Sequence, residues 1–170
     1  FLAKNFASSI SPWIVTLDAL EPFKCESPEQ NPKPLPYLQQ TGKHAYDINL
    51  QVAIRPENNV ETVVSNSNFK YMYWTMSQQL AHHTINGCRV NSGDMMGSGT
   101  ISGPTPDSFG SMLELSWGGK NPIQMNDGSE RKFINDNDTV IIRGYCQNDE
   151  VRIGFGECSS KLLPALDLKF

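Results

Sequence analysis

No apolar run in this 170-residue chain approaches the ~20 residues of a membrane-spanning helix. That excludes a helical span within it. Lysine and arginine are not clustered: 14 basic residues are scattered among 18 acidic ones, for a formal net charge of −4. A nucleic-acid footprint needs a basic face, so that class is excluded too. Cysteine is sparse. Cys25, Cys88, Cys146 and Cys158 form neither a CxxC pair nor a zinc pattern. A chain of this size can bury a core without disulfides, so four reduced thiols in a cytoplasmic protein are expected. Histidine is scarcer still, at three residues, which leaves few imidazoles for catalysis. There is no internal repeat and no low-complexity tract.

Turn formers are abundant, with 13 Gly and 11 Pro. Short apolar runs lie between them, the pattern of a mainly β chain. Tyr46, Ile48, Leu50, Val52 and Ile54 alternate with Asp47, Asn49, Gln51 and Ala53, the period of a half-buried strand. Residues 60–64 are placed to return as its antiparallel partner. Residues 10–15, 95–102, 111–117, 131–134, 139–145 and 151–155 are further candidate strands. The Pro-rich stretch 26–40 is expected to be an extended surface connection. One principal helix is predicted over residues 69–85, because Tyr73, Met76, Leu80 and His83 recur at spacings of three and four. Asn66, Ser67 or Asn68 would cap it, and Gly87 would stop it. His83 and the tryptophans Trp13, Trp74 and Trp117 are read as core or packing residues. The architecture expected is a β-sandwich or roll with that single helix, in one domain.

Three residues stand out for chemistry. Thr100 lies in Gly93-Asp94-Met95-Met96-Gly97-Ser98-Gly99-Thr100-Ile101-Ser102-Gly103. A hydroxyl and exposed amides between glycines suit an anionic or carbonyl-bearing ligand. A plain glycine-rich bend has the same composition. Glu114 lies in the otherwise apolar Ser111-Met112-Leu113-Glu114-Leu115-Ser116-Trp117. A carboxylate among apolar neighbours is costly unless paired, so it is either a functional acid or a rim residue in water. Lys4 precedes the small-residue stretch Asn5-Phe6-Ala7-Ser8-Ser9. It is either an exposed lysine or a cation placed to meet charge developing on an oxygen.

Gly-Asp, a short spacer and Gly-Thr-x-x-Gly resemble the C-terminal signature of the fumarylacetoacetate hydrolase family. The flanking segments are similar to that family as well. They include Ser67-Asn68-Phe69-Lys70-Tyr71-Met72-Tyr73-Trp74-Thr75-Met76, His82-His83 with Asn86-Gly87-Cys88, and Phe109-Gly110-Ser111-Met112-Leu113-Glu114-Leu115-Ser116-Trp117. Gly144-Tyr145-Cys146 and Arg152-Ile153-Gly154-Phe155-Gly156 extend the likeness, which runs to about Leu166.

The resemblance implies the C-terminal β-roll of a homodimeric enzyme that hydrolyses a carbon–carbon bond of a small diketo acid. Fumarate and acetoacetate would be the products. It implies catalytic roles for Lys4 and Glu114 and substrate binding by Thr100. It also implies that Ca2+ and Mg2+ take part, with Lys4 and Ser8 near the second cation. Ala7 and Ser8 stand where the family usually has Gly and Thr. The partner histidine of Glu114 and the main carboxylate ligands are expected upstream of Phe1, which makes these 170 residues inactive alone. Two other readings stand beside this one. One is another enzyme of the same superfamily, an acylpyruvase, decarboxylase or isomerase. The other is a catalytically silent β-module.

Overall fold

A computed structural model describes residues 7–57 and 60–167. It is mainly β with one principal helix, as the sequence implies. Its centre is a four-stranded antiparallel sheet in the order β4-β3-β7-β8, formed by β3 (Asn49–Arg55), β4 (Thr62–Asn68), β7 (Thr139–Gln147) and β8 (Arg152–Lys161). Two ribbons accompany it. One pairs β1 (Lys24–Cys25) with β2 (Ala45–Tyr46), the other β5 (Ile123–Gln124) with β6 (Glu130–Arg131).

The alternation around residue 50 does become strand. It breaks at Asp47 and Ile48, between β2 and β3. β3 pairs Asn49 with Asn68 on one side and with Tyr145 on the other, so it lies in the interior of the sheet. Two apolar clusters lie along it. Leu20, Phe23, Tyr46, Ile48 and Cys146 gather near its start, and Ile54, Val64 and Met125 near its end. β8 takes an irregular register opposite residues 143–145. Gly156 there has φ 72°, and a Cβ on it would run into the Trp13 ring. Only glycine tolerates both.

Several sequence expectations need correction. Residues 10–15 form no strand; Ser11 instead ties this segment to the β8 backbone by donating to Phe155 O at 2.6 Å. Residues 95–102 form no strand either. Gly99 takes φ 84°, and a Cβ there would meet nothing within 4 Å, so this glycine serves a left-handed backbone conformation rather than close packing. Residues 111–117 form no strand: α3 spans Met112–Leu115 and a turn follows, because the Ser111 hydroxyl accepts from Glu114 N–H and caps a helical turn.

The principal helix, α2 (Met76–Thr84), is shorter than predicted. It begins at a capping box in which Thr75 and Gln78 satisfy each other's amides. Asn68 caps only the separate 3-10 turn Phe69–Tyr71. Gly87 has the left-handed φ of 88° expected of a stop residue. The face of α2 that docks is polar. Buried Gln78 donates to Leu38 O at 2.7 Å and to Gln30 at 2.8 Å, holding the Pro-rich connection in place. Tyr73, Met76, Leu80 and His83 are exposed, as are Trp13, Trp74 and Trp117, so none of these is core within the described residues. A short α1 (Leu17–Leu20) completes the elements. No helix among the described residues is long and apolar enough to cross a membrane.

Candidate active site

Two glycines allow the loops of this site to touch. A Cβ on Gly103 would lie 2.5 Å from Ser108 Oγ and 2.7 Å from the Tyr71 ring. A Cβ on Gly110 would collide with the Ile101 carbonyl and stand 2.9 Å from Thr100 Cγ2. The two strands of loop therefore press together at a distance no side chain permits. Ser67, at the end of β4, anchors them to the sheet by donating to Ile101 O at 3.1 Å. Gly103 N–H donates to Ser108 O at 2.9 Å and closes the bend.

The result is an open cleft of about 570 Å³. Thr100 and Glu114 both line it. Tyr71, Tyr73 and Trp74 form an aromatic wall, with the Tyr73 and Trp74 rings edge to face at 5.1 Å. The structure thus brings together two of the sequence-predicted site residues. Lys4 lies outside the described residues. Ser8 is exposed and does not line the cleft. Its neighbour Ser9 accepts a 2.7 Å hydrogen bond from Ser160 on β8, at the edge of the sheet opposite β4.

Glu114 is half-buried and well partnered. Ser102 Oγ lies 2.9 and 2.8 Å from its two carboxylate oxygens, and Ser111 Oγ lies 2.8 Å from Oε2. Those serines answer the cost of placing a carboxylate beside Met112 and Leu115. Neither Ser102 nor Ser111 is among the residues singled out from sequence. The signal existed for Ser111: Ser-x-x-Glu is the pattern of a helix start. Ser102 sits 12 positions from Glu114, and only the folded loop reveals the contact.

None of the three histidines reaches Glu114. His44 contacts Thr41 O at 2.9 Å, His82 contacts the Tyr37 hydroxyl at 2.9 Å, and His83 contacts Cys88 Sγ at 3.3 Å. Among the described residues no three His, Cys, Asp or Glu side chains gather to hold a metal ion. Ca2+ and Mg2+ need several oxygen ligands, and Ser8 offers one neutral hydroxyl. The described donor set does not by itself fit a hard cation.

A cleft lined by a hydroxyl, a carboxylate and aromatic rings thus stands on a mainly β scaffold. Residues 1–162 match the family described as Fumarylacetoacetate (FAA) hydrolase C-terminal. The chain belongs to that family. It is 55% identical over 167 residues to the fumarylacetoacetase of Homo sapiens, an alignment covering 98% of this chain and 40% of the relative. It is 55% identical over 168 residues to that of Dictyostelium discoideum, covering 97% of this chain and 39% of the relative. The Arabidopsis thaliana fumarylacetoacetase is 51% identical over 166 residues, with 97% and 39% covered. The chain therefore spans about 40% of the length of the curated relatives it matches.

Proposed function

We propose that this chain is the C-terminal part of the catalytic β-roll of a hydrolase that splits fumarylacetoacetate into fumarate and acetoacetate, the last step of tyrosine and phenylalanine breakdown. The observation that carries the reading is the shared cleft of Thr100 and Glu114, in a chain 55% identical to a fumarylacetoacetase across 98% of its length.

The chemistry is difficult because the leaving group is a carbanion. Water adds to a carbonyl carbon, the adjacent carbon–carbon bond breaks, and its electron pair departs as the enolate of acetoacetate. A proton then returns to that carbon. The activated water needs a base. Glu114 orients a histidine base supplied by sequence outside these 170 residues. The Thr100 hydroxyl and the adjacent backbone hold the carboxylate end of the substrate. Lys4 meets the negative charge that develops on oxygen. The aromatic wall of Tyr71, Tyr73 and Trp74 faces the flat conjugated chain of the diketo acid. The enzyme is metal-dependent, with Ca2+ and Mg2+ held mainly by carboxylates beyond this chain and Ser8 and the Lys4 segment adjoining the second cation.

A cytoplasmic homodimer is part of the same reading. Four free thiols support the compartment. Exposed Trp13 and Ile14, at 69% and 92% accessibility, support a covering partner surface.

The test is a substrate panel on the full-length protein. Fumarylacetoacetate is expected to lose its diketone absorbance rapidly, while acylpyruvates and oxaloacetate turn over slowly. Preference for either of the latter would move the protein to another activity of the superfamily. The 170 residues alone are expected to be inactive, and rapid turnover by them would contradict the assignment of the base to sequence elsewhere.

A further inference from the structure

We propose that Ser102 and Ser111 are positioning residues that clamp Glu114 between two hydroxyl protons and fix the direction of its carboxylate; this rests on the active-site reading given above.

The argument is one of proton accounting. A serine hydroxyl carries one proton and two acceptor lone pairs. Ser102 Oγ already accepts from Gly110 N–H at 3.1 Å, and Ser111 Oγ accepts from Glu114 N–H at 3.3 Å. The acceptor side of each hydroxyl faces a backbone amide, which leaves the proton for the other side. On that side stands Glu114, at 2.8 Å from each serine oxygen. Both protons therefore point at the carboxylate.

Two donors converge on Glu114, Ser102 between its two oxygens and Ser111 on Oε2. A carboxylate offers about four lone-pair sites, so acceptor capacity remains for a partner entering the cleft. Charge-assisted hydrogen bonds of this kind are stronger than neutral ones. The clamp also has a fixed frame. Gly110 packs where a Cβ would strike Ile101, and its amide donates to Ser102 from there. Ser111 is pinned by its role as the cap of α3. A carboxylate that must orient a base benefits from a direction set before substrate arrives.

Ser111 also caps a helix, so loss of the cap must be separated from loss of the donor. Three variants of the full-length protein do this, assayed with fumarylacetoacetate. Ser111→Thr keeps both the cap and the proton. Ser111→Gly is tolerated at a helix cap but has no proton to give and adds no charge beside Glu114. Ser102→Ala removes the second donor without touching α3. The Thr variant is expected to hold kcat within about threefold. The Gly and Ala variants are expected to lose kcat by about tenfold or more, the scale of a hydrogen bond to a charged group, with KM moving less than about threefold. Equal kcat in the Gly and Thr variants, or a loss carried by KM in the Gly and Ala variants, overturns the clamp while leaving the activity assignment standing. Absence of fumarylacetoacetate hydrolysis by the wild-type protein overturns the activity assignment and the clamp with it.

Discussion

The Ser67 hydroxyl donates to the Ile101 carbonyl across 34 positions of sequence, at 3.1 Å. This bond fastens the loop bearing Thr100 to the end of β4, just ahead of the aromatic wall. It explains how a segment without regular structure presents a defined hydroxyl. The loop is held by the sheet on one side and by Gly110 on the other.

Gly110→Ala is therefore expected to be destructive out of proportion to one methyl group. The new Cβ meets backbone at Ile101, which cannot swing aside as a side chain would. Forced overpacking costs about 1–3 kcal/mol. A urea unfolding midpoint lowered to match is the expected result. A wild-type midpoint would mean that the two loops separate easily.

Arg131 and Asp138 form the most buried ion pair among the described residues, with Nε and Nη2 at 2.8 and 2.9 Å from the two carboxylate oxygens. Burial opposes the charge on Asp138, but the Arg131 guanidinium and the Asn135 amide outweigh it and hold the carboxyl below its usual range. Asp138→Asn leaves the guanidinium without its counter-charge and is expected to cost about 3–5 kcal/mol at neutral pH. The sign of the pH dependence follows. The folded carboxyl titrates below the unfolded value of about 3.9, so the stabilisation is complete above that pH and fades as pH falls through the lower folded value. The gap in melting temperature between wild type and variant is expected to start closing as pH falls below about 4 and to go on shrinking with further acidification. A constant gap down to strong acid would contradict the pairing.

The cysteines differ sharply in environment. Burial, with a smaller push from the Asp47 charge, raises the Cys146 thiol to about 11. Cys88 is exposed beside His83. Alkylation by iodoacetamide at neutral pH is expected to label Cys88 and leave Cys146 untouched until the protein unfolds. Peptide mass mapping reads the order, and early labelling of Cys146 would contradict the burial.

Much of the sheet was legible because strand alternation is a direct record of two faces. The pairing of β3 with β4 follows from that pattern. Segment 111–117 misled because a short apolar run does not distinguish strand from helix. Its Ser-x-x-Glu spacing was the better guide. The start of α2 was displaced for the same reason: Thr75-x-x-Gln78 is the capping box, while Asn68 serves a different turn. The apolar stripe of α2 was visible, but not the side that docks. A polar contact through Gln78 decides that, and hydrophobic periodicity carries no trace of it. In the site, Thr100 and Glu114 could be named from sequence. Their common cleft depends on glycine contacts and on serine partners that only the folded loops create.

Thr100→Val removes the cleft hydroxyl while keeping the branched shape. In the full-length protein it is expected to raise KM for fumarylacetoacetate by about tenfold, the scale of one hydrogen bond to a charged group, with a smaller change in kcat. An unchanged KM would remove Thr100 from substrate binding.

Steady-state hydrolysis of fumarylacetoacetate by full-length Glu114→Gln tests the central claim most directly. The variant keeps the size of the side chain and loses its charge. If this cleft is the catalytic wall and Glu114 orients the base, kcat falls by about a hundredfold or more with KM little changed. A kcat equal to that of the wild-type protein would show that the cleft shared by Thr100 and Glu114 is not where the carbon–carbon bond is broken.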